Sequence, residues 1–172
     1  MNHTRDNRTE DSVFVENLHQ LEKRIDYQFH DTQLLVRALT HGSFVNEQKQ
    51  DIPDYEQLEF LGDSVLELTL SLLLMERFPA SPEGDLTQMR ASLVSENMLS
   101  RMGRSINLGP CLRLGRGEVM TGGRERNSIL ADSFEALMGA VFLDAGLEQA
   151  SRTVAFLFDQ ALKEVAKEDF HR

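Results

Sequence analysis

The chain has 172 residues, 41% hydrophobic and 27% charged, which describes one folded domain with a sizeable core rather than a disordered or fibrous chain. A single cysteine excludes an internal disulfide and fits a reducing compartment, and the apolar run at residues 68–75 is too short to cross a bilayer. The net charge of −10 argues against a phosphate binder of the usual basic kind, unless the acids gather round a metal and the bases form a local patch.

Residues 1–11 are polar and contain no apolar stretch of the secretory type, so they are read as a disordered tail on a cytosolic protein. Asp11 and Ser12 then cap a helix carrying Val13, Val15, Leu18, Leu21 and Ile25. Asp31 caps a second helix over residues 32–40, with Leu34, Leu35, Ala38 and Leu39 on its apolar side. A cap explains Asp31 better than a His30–Asp31 metal dyad does. The following loop, residues 41–54, has its turn at Pro53, and His41 is read as fixing it.

Residues 55–74 form a helix that is apolar nearly all round, the mark of a buried helix. Yet Glu56, Glu59, Asp63 and Glu67 stand in it at spacings of three, four and four, one stripe roughly 80° wide. No Lys or Arg lies between Gln57 and Met75 to neutralise them. A solvated acidic face is the plain alternative, but such faces mix signs because like charges at i,i+4 repel. Carboxylates set into an apolar helix are costly unless a cation meets them.

Ser81 as cap and Pro82 at the first helical position open a helix running through Leu86, Met89, Leu93 and Met98 to about Gly103. Six glycines and one proline then lie from Gly103 to Gly123, and the segment reads as loop with one short helix at most. Arg104, Arg113, Arg116, Arg124 and Arg126 face only Glu118 and Glu125 there, so the acidic total hides a local basic patch. Arg113, Arg116, Arg124 and Arg126 are the candidate phosphate contacts, with ordinary solvated arginines as the alternative. Residues 127–145 form a second apolar helix with embedded acids, Asp132 and Glu135 at i,i+3. Ala131, Ala136, Gly139 and Ala140 let a neighbour approach it closely, and Gly146 ends it. A last amphipathic helix covers about residues 148–168. No stretch alternates as a strand does, and nothing repeats, so the fold class is all-α.

If the two acidic stripes face each other, Glu59, Asp63, Asp132 and Glu135 make an all-oxygen site. Hard oxygen ligands suit Mg²⁺ or Mn²⁺, and that chemistry suits phosphodiester hydrolysis. A di-iron bundle would need Glu-x-x-His on two helices, and only Glu16–His19 fits, away from both stripes.

EQLEFLGDSVL (residues 56–66) resembles the signature helix of ribonuclease III, and RNSILADSFEALMGAVFLDAG (126–146) resembles its second acidic motif. ALTHGSFVNE (38–47) and PEGDLTQMRASLVSE (82–96) are similar to the flanking segments, in the right order, over about residues 18–165. The resemblance implies an all-helical endonuclease domain over residues 12–168 that forms a homodimer in the cytoplasm. It implies Mg²⁺-dependent cleavage of double-stranded RNA to 5′-phosphate and 3′-hydroxyl ends with short 3′ overhangs. Processing of rRNA, mRNA and small structured RNAs would follow. By position, Glu59, Asp63, Asp132 and Glu135 match the metal-binding carboxylates, Asp63 and Glu135 being the two most tied to catalysis. Glu56 and Glu83 match supporting acids of the cleavage valley, and Phe60 an aromatic that inserts into the partner subunit.

Two positions depart from the pattern: Gln57 and Gly42 stand where a basic residue is common. The family's basic double-stranded-RNA-binding domain is also missing, since residues 169–172 match only the start of its linker. An excised nuclease domain or a natural single-domain form both fit. The rival function is a non-catalytic, RNA-binding or ribosome-associated member of the same fold.

Overall fold

The structure, a computed structural model, describes residues 4–167. Among them the helices are α1 (Thr4–Ile25), α2 (Thr32–Ala38), α3 (Gly42–Gln48), α4 (Glu56–Arg77), α5 (Glu83–Leu93), α6 (Glu96–Ser105), α7 (Arg116–Met120) and α8 (Asn127–Val165). Single 3₁₀ turns lie at Gly109–Cys111 and Gly123–Glu125. The described residues form no strand; an isolated bridge joins Thr40 and Arg113. The all-α expectation therefore holds. No described helix is long and apolar enough to cross a membrane. The expected linker at residues 169–172 lies outside the described residues.

α8 is the axis of the molecule, with α4, α6 and α2 packed on it. Its first half is buried almost throughout, from Ile129 to Val141. Gly146 breaks it where the sequence predicts a stop, with φ 85° and ψ −178°, a backbone region that is essentially glycine-only. The chain turns there, and Phe158 of the second half packs edge-to-face on Phe134 of the first, centroids 5.9 Å apart. Asp144, just before the break, ties the turn to the segment preceding α2. Its carboxylate is 3% exposed and accepts from the Tyr27 hydroxyl, from His30 N (2.8 Å) and from Asp31 N (2.9 Å). Asp31 in turn accepts from Gln33 N at 3.0 Å, the cap expected for α2.

Three expectations about boundaries are corrected. α1 begins at Thr4, so residues 4–11, expected as tail, are helical. That stretch carries no apolar side chain, so hydrophobic period gives no signal there. The expected loop at 41–54 contains α3, none of whose residues is buried, which again leaves no apolar period to read. The single helix expected from Pro82 to Gly103 is two. Ser95 Oγ accepts from Met98 N at 3.2 Å and starts α6, a capping signal hidden inside a continuous apolar pattern.

Candidate active site

α4 has three faces, and the residue angle of about 100° assigns each side chain to one. Leu58, Gly62, Val65, Leu66, Thr69, Leu70 and Leu74 are buried. Phe60, Leu68, Leu72 and Met75 are exposed, Phe60 at 81%. Glu56, Glu59, Asp63 and Glu67 lie along the border between the two.

Two glycines set where that border falls. A Cβ on Gly62 would lie 1.7 Å from Glu135 O, and one on Gly139 would lie 2.4 Å from Leu58 O. α4 and α8 therefore touch backbone to backbone, and only glycine fits at both contacts. Gly62 sits between Glu59 and Asp63, and Gly139 stands one turn after Glu135. The crossing brings the two acidic stripes side by side.

Glu59, Asp132 and Glu135 each place a carboxylate oxygen within 4.8 Å of the others. Asp63 is outside this tightest trio and more exposed, but its charge is the largest acting on Glu135. The two residues expected to share an ion thus lie on one side of the molecule. Glu56, in the first turn of α4, adds its field to Glu59 from the rim.

Electrostatics records the cost of this arrangement. Burial, then Asp132, Glu56 and Asp63, push the Glu59 carboxyl up to about 7. Burial, then Asp63, Glu59 and Asp132, push Glu135 up to about 8. Asp132 is raised by burial and by Glu96. Carboxylates held together without a cation keep their protons, because like charges this close cannot all ionise. Three or four hard oxygen donors, half-buried and open on one side, fit Mg²⁺ or Mn²⁺.

Other expected site residues lie elsewhere. Glu83, at the start of α5, accepts from Thr87 Oγ1 at 2.6 Å and faces Ser71, Leu74 and Met75 near the far end of α4. Within one chain it is therefore not part of the acid cluster. Arg113 is not a surface contact: Nε and Nη2 donate to Thr40 Oγ1 (3.0 and 2.7 Å), and its guanidinium lies 4.6 Å from the Phe44 ring centroid. Arg124 donates to Gly109 O (3.0 Å) and Leu112 O (2.6 Å), pinning the glycine-rich segment. Guanidinium groups satisfy buried carbonyls and hydroxyls well, so both arginines hold the loop together. Arg116 and Arg126 are exposed, paired with Glu47 and Glu118.

Two residues at the site were not read as part of it from sequence. Glu96, in the first turn of α6, is the charge acting most strongly on Asp132. The Ser95 cap signals where α6 starts but not that Glu96 meets Asp132. His41 caps α3, as its assigned fixing role implies, but its ring also feels Asp54, Asp132, Arg126 and Glu56 at the cluster's edge.

Comparison with known proteins gives the same outline. Residues 31–161 match a family described as Ribonuclease-III-like. A protein of Myxococcus xanthus named Ribonuclease 3 is 49% identical over 152 residues, 88% of this chain and 58% of that protein. One of the same name from Caldanaerobacter subterraneus is 47% identical over 88% of this chain and 67% of its own length. The chain spans about three fifths of the length of these relatives. Among solved structures, the nuclease domain of ribonuclease III from Campylobacter jejuni superposes with a TM-score of 0.76 at 39% identity, covering 83% of this chain and 94% of that one. Dicer from Pichia stipitis matches at 0.60 and 26% identity, over 81% of this chain and 59% of its own. With three quarters of its length inside the family match, the chain belongs to the ribonuclease-III-like family.

Proposed function

We propose that this chain is the catalytic domain of an endoribonuclease that hydrolyses double-stranded RNA with a bound divalent cation, Mg²⁺ or in its place Mn²⁺. The observation that carries the reading is the glycine-to-glycine crossing of α4 and α8, which sets Glu59, Asp132 and Glu135 within 4.8 Å with Asp63 beside them. The relatives named Ribonuclease 3 support it.

Glu59, Asp132 and Glu135 would hold the ion, and a bound ion supplies Lewis acidity that activates water and offsets charge on the scissile phosphate. Asp63, the most open of the four, accepts a hydrogen bond from the attacking water and orients it. Attack on phosphorus with departure of the 3′ oxygen leaves 5′-phosphate and 3′-hydroxyl ends. A-form RNA is met through its shape, 2′-hydroxyls and phosphates, and the exposed Arg116 and Arg126 would meet phosphates by leaving Glu47 and Glu118.

The exposed apolar face of α4, Phe60 with Leu68, Leu72 and Met75, supports a homodimer about a two-fold axis. One Campylobacter jejuni structure is described as showing flexibility in the region involved in dimer formation. Antiparallel pairing of two α4 helices would bring Glu83 of one copy toward the acid cluster of the other, which restores it to the valley. Two offset sites, one per strand, would leave short 3′ overhangs. We place the activity in the cytoplasm, in processing of rRNA, mRNA and small structured RNAs.

A long RNA duplex should be cut to short pieces in Mg²⁺ and survive in EDTA. Asp63→Asn and Glu135→Ala should abolish cutting while duplex binding persists. Tight binding with no cut under any metal would favour the non-catalytic rival.

A further inference from the structure

The His41 ring is held more firmly than a loop cap requires. His41 N donates to Arg113 O at 3.0 Å, and Tyr55 N donates to the preceding carbonyl, Thr40 O, at 2.9 Å. The ring stands edge-on to Tyr55, centroids 5.6 Å apart. Nδ1 accepts from Ser43 N at 3.1 Å and lies 2.7 Å from Ser43 Oγ. A backbone N–H only donates, so Nδ1 carries no hydrogen and the neutral ring has its hydrogen on Nε2. Burial favours that neutral form, holding the imidazole below its ordinary value of 6.5. Nε2 makes no hydrogen bond among the described residues.

The charges that act on this ring are Asp54, Asp132, Arg126 and Glu56. They come from the segment before α4, the first turn of α4 and the start of α8. Tyr55, on which the ring stands, precedes Glu56 directly and its carbonyl accepts from Glu59 N at 2.8 Å, so the ring lies at the edge of the acid cluster. That edge is rich in acceptors, and Arg37 beside it is already engaged, donating to Asp54 O (3.2 Å) and Gln57 Oε1 (2.8 Å). Arg126 is the cation in the set, and Glu118 already pairs with it.

We propose that His41 Nε2–H donates a hydrogen bond to a non-bridging oxygen of the RNA phosphate held at the acid cluster, a role that rests on the nuclease reading above. A phosphate entering among four carboxylates is repelled by them. A fixed, neutral donor lowers that repulsion without competing with a cation for the same oxygens. Because the ring is locked at Nδ1, the donor is oriented before the substrate arrives, which is the condition under which one hydrogen bond counts most.

Two substitutions separate this role from capping. Asn reproduces Nδ1 and is among the best N-caps, whereas Gln places its amide near Nε2 and loses the cap. His41→Asn should melt within about 2 °C of the parent, given how well Asn caps. Its kcat/KM on a duplex in Mg²⁺ should fall roughly 100-fold, the size seen when one oriented donor is removed. His41→Gln should be less stable yet cut at least about tenfold faster than the Asn variant, by the same reasoning. Ring-nitrogen NMR of the Asp63→Asn protein in Mg²⁺, which should bind duplex without cutting it, should show the Nε2–H tautomer and a shift at Nε2 when duplex is added. Parental kcat/KM in His41→Asn, equal losses in both variants, or an Nε2 signal indifferent to duplex would overturn the proposal while the nuclease reading stands. An unsubstituted chain that cuts nothing would overturn that reading, and this proposal with it.

Discussion

Replacing Gly62 by alanine puts a methyl group 1.7 Å from Glu135 O, where real contacts stay beyond 3.0 Å. α4 and α8 would have to part locally by about 1.3 Å, because the obstacle is backbone and cannot rotate away. Overpacking of that kind costs about 1–3 kcal/mol, which lowers the melting temperature of a domain this size by roughly 4–8 °C at the middle of the range. The larger effect is on the site. Glu59 and Asp63 would retreat from Asp132 and Glu135, and a misplacement of about 1 Å can cost on the order of 100-fold in rate. Thermal melting and cleavage of a duplex in saturating Mg²⁺ would be measured together. Gly84→Ala is the control: a Cβ there meets nothing within 4 Å, and alanine in a helix is favourable by up to about 1 kcal/mol. A Gly62→Ala protein that melts and cuts like the parent would refute the claim that this crossing aligns the acids.

The metal-free protein should lose stability as pH rises from about 5 to past 8. Glu59 and Glu135 keep their protons to about 7 and 8 in the fold but release them near 4.5 when unfolded, so the folded state binds more protons across that window. Melting in EDTA and in Mg²⁺ should therefore diverge with increasing pH, and a constant gap would mean that the acids do not share an ion. Asp144→Ala should cost about 1–3 kcal/mol, since it removes the 3%-exposed acceptor shared by Tyr27, His30 and Asp31. A loss under about 0.5 kcal/mol, the scale of an ordinary surface change, would remove Asp144 from that role. Phe60→Glu should sediment as a monomer; an unchanged dimer would take the α4 face out of the interface.

The acid pattern was legible because it is local: Glu59 and Asp63 on α4, Asp132 and Glu135 on α8, each readable at helical period. The small residues of α8 announced a close neighbour, and Gly62 against Glu135 is that contact. What stayed hidden depends on encounters across the chain. Arg113 looked like a free base until the fold laid it over Phe44 and onto Thr40, 73 residues away. Glu96 and His41 carry no periodic signal, and nothing near them in sequence says that Asp132 will be their neighbour. Glu83 was placed by resemblance alone, and a single chain leaves it at the far end of α4.

Asp63 and Asp132 stand about 70 residues apart along the chain, with α5, α6 and α7 between them. No contiguous fragment shorter than that span contains both halves of the acid cluster. At ordinary elongation rates of about 5–20 residues per second, α4 leaves the ribosome several seconds before α8 can cover it. Closing so long a loop is also the slow, entropically opposed part of folding. On the nuclease reading proposed above, a nascent chain that still lacks α8 holds neither Asp132 nor Glu135, and the site would be completed in one step with the last large helix.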